Sequence, residues 1–225
     1  MKKILLLAAT VGLAAFATQS QGALVAYWNF NGLVIATASP PGSGGVPLTI
    51  SADQGSGTVG LSAWAGNVDD FSGSTTNALG SDLAGASLSL VQSAAGGNGT
   101  YVSFDISLSG LSDPVVTFAT RGTSTGFDTG IWSWSTDGTI FTVVAGVNTA
   151  TRSTTFALAT VDLSAIDDLD NAASVTLRYT LSGASGSGGN NRIDNVQINA
   201  TPVPEPSASA LLALAALGLG VRRRR

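Results

Sequence analysis

The 225-residue chain has no cysteine and no histidine. Those absences exclude thiol catalysis, a Ser-His-Asp triad and zinc sites built on Cys or His. An exported domain without cystines must be held by its core, alone or with bound ions. Lysine occurs only at Lys2 and Lys3, and glutamate only at Glu205. With the six basic residues near the two ends set aside, Arg121, Arg152, Arg178 and Arg192 stand against thirteen aspartates. The body therefore carries a net charge of about −9, a surface that repels phosphate backbones and excludes nucleic acid as a partner.

At the start, two lysines precede a short apolar core and a small-residue exit, MKKILLLAATVGLAAFATQSQGA. This order predicts a secretory signal peptide over residues 1–23 rather than a buried helix. Cleavage after Ala17, Gly22 or Ala23 is compatible with the pattern.

Between residues 24 and 200 no helix-period segment of useful length occurs, apart from a turn at 164–169. Alternating runs dominate instead. In TYVSFDISL, Val102, Phe104, Ile106 and Leu108 share one face, with Tyr101, Ser103 and Asp105 on the other. In ASVTLRYTL, Val175, Leu177, Tyr179 and Leu181 alternate with Thr176, Arg178 and Thr180. Period-2 patterning indicates half-buried antiparallel strands. Further strands are predicted over 23–30, 57–64, 86–92, 114–120, 131–136, 139–147, 154–163 and 192–200. Asp137-Gly138 is placed as a two-residue hairpin turn, and 39–46, 67–82, 93–99 and 183–191 are read as loops. About ten strands over this length predict an all-β antiparallel sandwich, jelly-roll-like, large enough to bury a core without disulfides.

Catalytic chemistry finds little support. The carboxylate clusters Asp69-Asp70 and Asp167-Asp168 with Asp170 are sequence neighbours, read as solvated turn residues. A glycosidase needs two carboxyls facing one bond, one of them usually kept protonated by burial. In RIDNVQINA, Asp194 shares a phase with Val196 and Ile198, which directs it inward. A buried carboxylate needs an arginine, several backbone N–H groups or a cation. A structural calcium would take Asp194 with oxygens near Asn29 and Asn31; hydrogen bonding at the strand end is the simpler account. Of the aromatics, Trp28, Trp132 and Trp134 read as core. Trp64 and Tyr101 are the ones expected to be exposed, where a ring face could stack on a sugar.

The chain closes on TPVPEPSASALLALAALGLGVRRRR. About fifteen apolar residues span roughly 22 Å as a helix, short of the ~30 Å hydrocarbon core. Arginines at the end can snorkel and hold the cytoplasmic side. Pro204-Glu205-Pro206, the apolar run and Arg222, Arg223, Arg224 and Arg225 together resemble a PEP-CTERM sorting signal over residues 201–225; an ordinary tail anchor is the alternative. The resemblance implies recognition by exosortase, a membrane processing enzyme of Gram-negative bacteria. It also implies transient membrane attachment through the C-terminal helix and a destination at the cell surface or beyond. TGIWSWSTDGTIFTVV and the segment 175–200 resemble jelly-roll ectodomains of that family. The resulting expectation is a non-enzymatic surface or matrix protein associated with exopolysaccharide. A carbohydrate-binding module with specific glycan affinity is the alternative, and a hydrolase is the least supported.

Overall fold

The computed structural model describes residues 22–204. The expected signal segment at 1–21, and Glu205, Pro206 and Arg222 to Arg225, lie outside the described residues. Thirteen strands and one short 3-10 turn build two antiparallel sheets: β1 Ala23–Trp28, β2 Thr49–Ser51, β3 Gln54–Gly55, β4 Thr58–Gly60, β5 Asn67–Ser72, β6 Ala86–Val91, β7 Thr100–Ile106, β8 Leu111–Gly122, β9 Thr129–Ser135, β10 Thr142–Val143, β11 Ala157–Asp162, β12 Val175–Ser182 and β13 Asn190–Pro202. The first sheet runs β11-β8-β13-β1-β3, with β6 also on β13 and β5 on β6. The second runs β10-β9-β12-β7-β4-β2.

Alternation decides which face each strand buries. Val102, Phe104 and Ile106 of β7 and Val175, Leu177, Tyr179 and Leu181 of β12 are buried as their period requires. The two strands pair with Leu177 opposite Phe104 and Tyr179 opposite Val102. From the first sheet, Trp28 and Phe118 reach across. Trp28 meets Phe104 edge-on at 5.6 Å, and Phe118 meets Trp132 at 5.6 Å and Tyr179 at 5.8 Å. Trp132 stacks on Tyr179 at 4.9 Å. Such pairs add ~0.5–1.5 kcal/mol each beyond the area they bury, and here they lock one sheet to the other.

Three departures from the sequence pattern have local causes. Residues 67–82 begin with a strand, β5, so Asp69 and Asp70 sit in a ladder rather than a turn. Asp70 accepts from Ile35 N–H at 3.0 Å. The Asp137-Gly138 connection is longer than two residues, since β9 ends at Ser135 and β10 begins at Thr142. Asp137 organises it by accepting from Ser135 Oγ and from the Thr139 and Ile140 N–H groups; those bonds hold its carboxyl below the ordinary range.

The third departure is a bulge in β13. Asp194 pairs with Ala119 and Gln197 with Thr117, so an extra residue is inserted in β13 between them, and Asn195 adopts φ 49°. A bulge of this kind shifts the side-chain phase. Ile193, Val196 and Ile198 therefore share the core face, and Asp194 leaves it.

Candidate functional site

Asp194 is fully buried, but beneath a loop rather than inside the sandwich. Along one flank of β13, β6 pairs with residues 190–193 and β1 with residues 196–200. The bulge falls in the gap between them, where no strand supplies hydrogen bonds. The stretch after β5 fills that gap. Ser74 N–H donates to Asp194 Oδ2 at 2.6 Å and Asn195 N–H to Oδ1 at 2.9 Å. Asn195 Nδ2 donates to the Ser74 and Thr76 carbonyls, and Asn77 Nδ2 to the Asn195 carbonyl. Tyr27 Oη donates to Asn195 Oδ1 and accepts from Leu79 N–H. Gly73 is required here, because a Cβ would collide with Asp194 Oδ2 and with the Ala84 and Ala86 carbonyls.

The side chains of Asn29 and Asn31, beside which the sequence suggests calcium-ligating oxygens to join Asp194, are engaged elsewhere. Asn29 Oδ1 accepts from Asn31 N–H while its Nδ2 donates to Asp82. Asn31 Oδ1 accepts from Ala86 N–H and its Nδ2 donates to the Leu83 carbonyl. Both amides are thus committed to holding the 82–86 stretch. Among the described residues no three Asp, Glu, His or Cys side chains converge. Backbone N–H groups are the partners Asp194 takes. They do not offset its burial, which raises its carboxyl to about 7.

The two aromatics expected at the surface behave differently. Trp64 is 3% exposed, packs edge-on against Phe127 at 5.5 Å and donates to the Asn67 carbonyl. It is core, not a platform for a sugar. Its position before a polar stretch misled because 61–64 turns inward, with Trp64 N–H bonded to the Leu61 carbonyl. Tyr101 lies half-buried on the outer face of the second sheet, with the Arg178 guanidinium 4.2 Å from its ring centre. Arg178 also covers Phe141 at 3.3 Å. One face of Tyr101 is therefore already occupied.

A better aromatic is Trp134, which the sequence pattern assigns to the core with Trp132. Trp132 is indeed 2% exposed. Trp134 is only half-buried, standing one residue before the end of β9 at Ser135, at the margin of the sandwich. There the β10 border of one sheet and the β11 border of the other enclose an open groove of about 570 Å³. Trp134 and Val143 line it on one side, and Asp162, Ile166, Asp167 and Asp168 on the other. The acidic side is fixed by buried Leu163 and by Leu169, the buried last residue of a single 3-10 turn at Asp167–Leu169. Asp162 accepts from Ser164 N–H at 2.9 Å. Bonds from the Ser164 hydroxyl and backbone hold its carboxyl below the ordinary value. An indole can stack on the C–H face of a neutral sugar while carboxyl oxygens beside it accept hydrogen bonds from the sugar hydroxyls.

The sorting residues enter from the same sheet. β13 ends at Pro202, Val203 N–H still bonds the Gly110 carbonyl, and Pro204 is exposed. The last strand of the sandwich thus runs directly into the proline-rich stretch.

No curated protein matches the chain. Among solved structures it is similar to the CBM22-1 xylan-binding domain of Paenibacillus barcinonensis Xyn10C, at 10% identity and TM-score 0.42, covering 83% of this chain and 100% of that one. It is similar to the CBM6cm-2 carbohydrate-binding module of Cellvibrio mixtus lichenase 5A, at 14% identity and TM-score 0.31, covering 59% and 86%. It is also similar to the enzymatically active domain of tailspike protein 4 of bacteriophage CBA120, at 18% identity and TM-score 0.35, covering 59% of this chain but 18% of that one. Likenesses this distant carry no argument about what the chain binds. Residues 202–225 match the family model described as the PEP-CTERM protein-sorting motif, and the chain is accordingly an exported β-sandwich protein carrying a PEP-CTERM sorting motif.

Proposed function

We propose that this is a non-enzymatic surface or extracellular-matrix protein, sorted by exosortase, whose sandwich holds neutral exopolysaccharide in the Trp134 groove. In this reading residues 1–23 are the signal peptide, 24–200 the ectodomain and 201–225 the sorting segment. The apolar run before Arg222 holds the chain in the membrane until processing. Cleavage after Ala17 or Gly22 leaves β1 whole, whereas cleavage after Ala23 removes its first residue.

The observation that carries the binding proposal is the partly buried Trp134 lining a groove bordered by Asp162, Asp167 and Asp168. The volume falls within the range usual for small-ligand sites. Binding is favoured over hydrolysis because bonds from Ser164 hold the Asp162 carboxyl below its ordinary range, whereas a general acid needs its proton retained by burial. The test is isothermal titration of the full chain, in a sugar-free nonionic detergent, with xylo-, cello- and β-galacto-oligosaccharides. Binding to at least one of them, weakened at least tenfold by Trp134→Ala (about 1.4 kcal/mol), is the expected result. Absence of binding to all three, or equal affinity in the variant, would overturn the proposal.

A further inference from the structure

The outer face of the first sheet carries two arginines side by side. Arg192 of β13 and Arg121 of β8 are register partners, and like charges directly opposite one another destabilise a sheet. Neither belongs to an ion pair among the described residues, where the one pair is Arg152 with Asp128 at 3.3 Å. Aromatic rings back them instead: Arg192 lies 4.5 Å from the centre of Phe71, and Arg121 5.7 Å from that of Phe156. A ring orients a guanidinium without neutralising it.

Polar atoms at the same place are also unpaired. Arg192 donates from one terminal nitrogen to the Ser72 carbonyl, but its Nε is buried without a partner. Ser89, the register partner of Arg192 on β6, is fully buried and its Oγ has no partner either. One carboxylate lies on the Arg192 side of the pair. Asp69 sits opposite Ser89 on β5, acts on Arg192 through space and makes no ion pair with it. Two opposed arginines, one partial counter-charge and a buried unpaired hydroxyl thus stand in one register row across the outer face of the first sheet.

We infer that Arg121 and Arg192 form an oxyanion site that takes the carboxylate groups of an acidic, uronate-type polysaccharide. The guanidinium fork matches a planar carboxylate bidentately. A bound carboxylate relieves the repulsion between the two arginines, and Phe71, 37% exposed, offers an apolar edge to the sugar ring. This site lies near the start of β11, since Ala157 pairs with Thr120, whereas Asp162 of the Trp134 groove lies at the other end of that strand. At about 3.3 Å per residue the two are separated by roughly 17 Å, so each proposal fails independently of the other.

Isothermal titration of the full chain in sugar-free nonionic detergent tests the inference, with oligogalacturonate, a neutral xylo-oligosaccharide of equal length and sodium sulfate as probes. Oligogalacturonate is expected to bind, more weakly as salt is added, and at least tenfold more weakly in Arg121→Gln and in Arg192→Gln. Trp134→Ala should leave that binding unchanged. Arg121 makes no side-chain hydrogen bond among the described residues, so its variant keeps the fold and decides the matter if Arg192→Gln does not. No binding of oligogalacturonate, or unchanged affinity in Arg121→Gln, would overturn the site. Sulfate binding as tightly as oligogalacturonate at matched charge would overturn the polysaccharide as its occupant.

Discussion

Asp194 offers a quantitative test of how the loop after β5 is held. Its carboxyl is raised from 3.8 to about 7, chiefly by burial, with two backbone N–H groups pulling the other way. A folded-state pKa above the unfolded one means that the native state binds the extra proton. The contribution is complete below the unfolded value and is lost as pH rises through the folded value. Between pH 5 and pH 8 the linkage amounts to about 2.5 kcal/mol. At ~2–4 °C per kcal/mol for a domain of this size, the unfolding midpoint should fall by about 5–10 °C over that range. Asp69, also raised by burial, acts in the same direction. The measurement is therefore a comparison of slopes by circular dichroism, wild type against Asp194→Asn. At pH 5 the variant sets an amide NH2, which cannot accept, where the protonated carboxyl keeps a hydroxyl oxygen toward an N–H donor, so it is less stable by ~1–3 kcal/mol. Its midpoint should nevertheless change much less between pH 5 and 8. Equal slopes in the two proteins, or a wild-type midpoint that rises with pH, would refute the reasoning. A bound calcium would reverse the wild-type trend by holding the carboxylate ionised, and would show as a midpoint that rises on adding calcium.

Two further outcomes follow from burial and from strand order. Trp64→Ala should lower stability by ~3–5 kcal/mol, as for other large core truncations, and leave glycan affinity in the folded fraction unchanged; chemical denaturation and titration measure the two separately. Replacing Pro204, Glu205 and Pro206 together by serine should leave the tail unprocessed in the native cell, read by intact mass. The unfolding midpoint of the sandwich should not move, because β13 ends at Pro202.

The period-2 runs at 100–108 and 173–181 were enough to place β7 and β12 and to say which side chains they bury. That information is local, since alternation on a pleated strand fixes a face whatever the partner strand is. The lack of cysteine and histidine alone removed thiol and imidazole chemistry, and the contiguous pattern from Pro204 to Arg225 carried the sorting motif. What the sequence could not supply depends on neighbours distant along the chain. Asp194 lies on the loop-covered face because Asn195 bulges where β6 gives way to β1, and nothing in RIDNVQINA records that handover. Trp132 and Trp134 have the same phase and share Ser133 between them. One is buried in mid-strand and the other lines a groove because it stands one residue from the end of β9, at the margin of the sandwich. Arg121 and Arg192 are 71 positions apart in the chain, and only the β8–β13 register sets them side by side. Periodicity thus determined faces and composition determined exclusions, while registers, edges and the bulge decided where polar and aromatic groups meet.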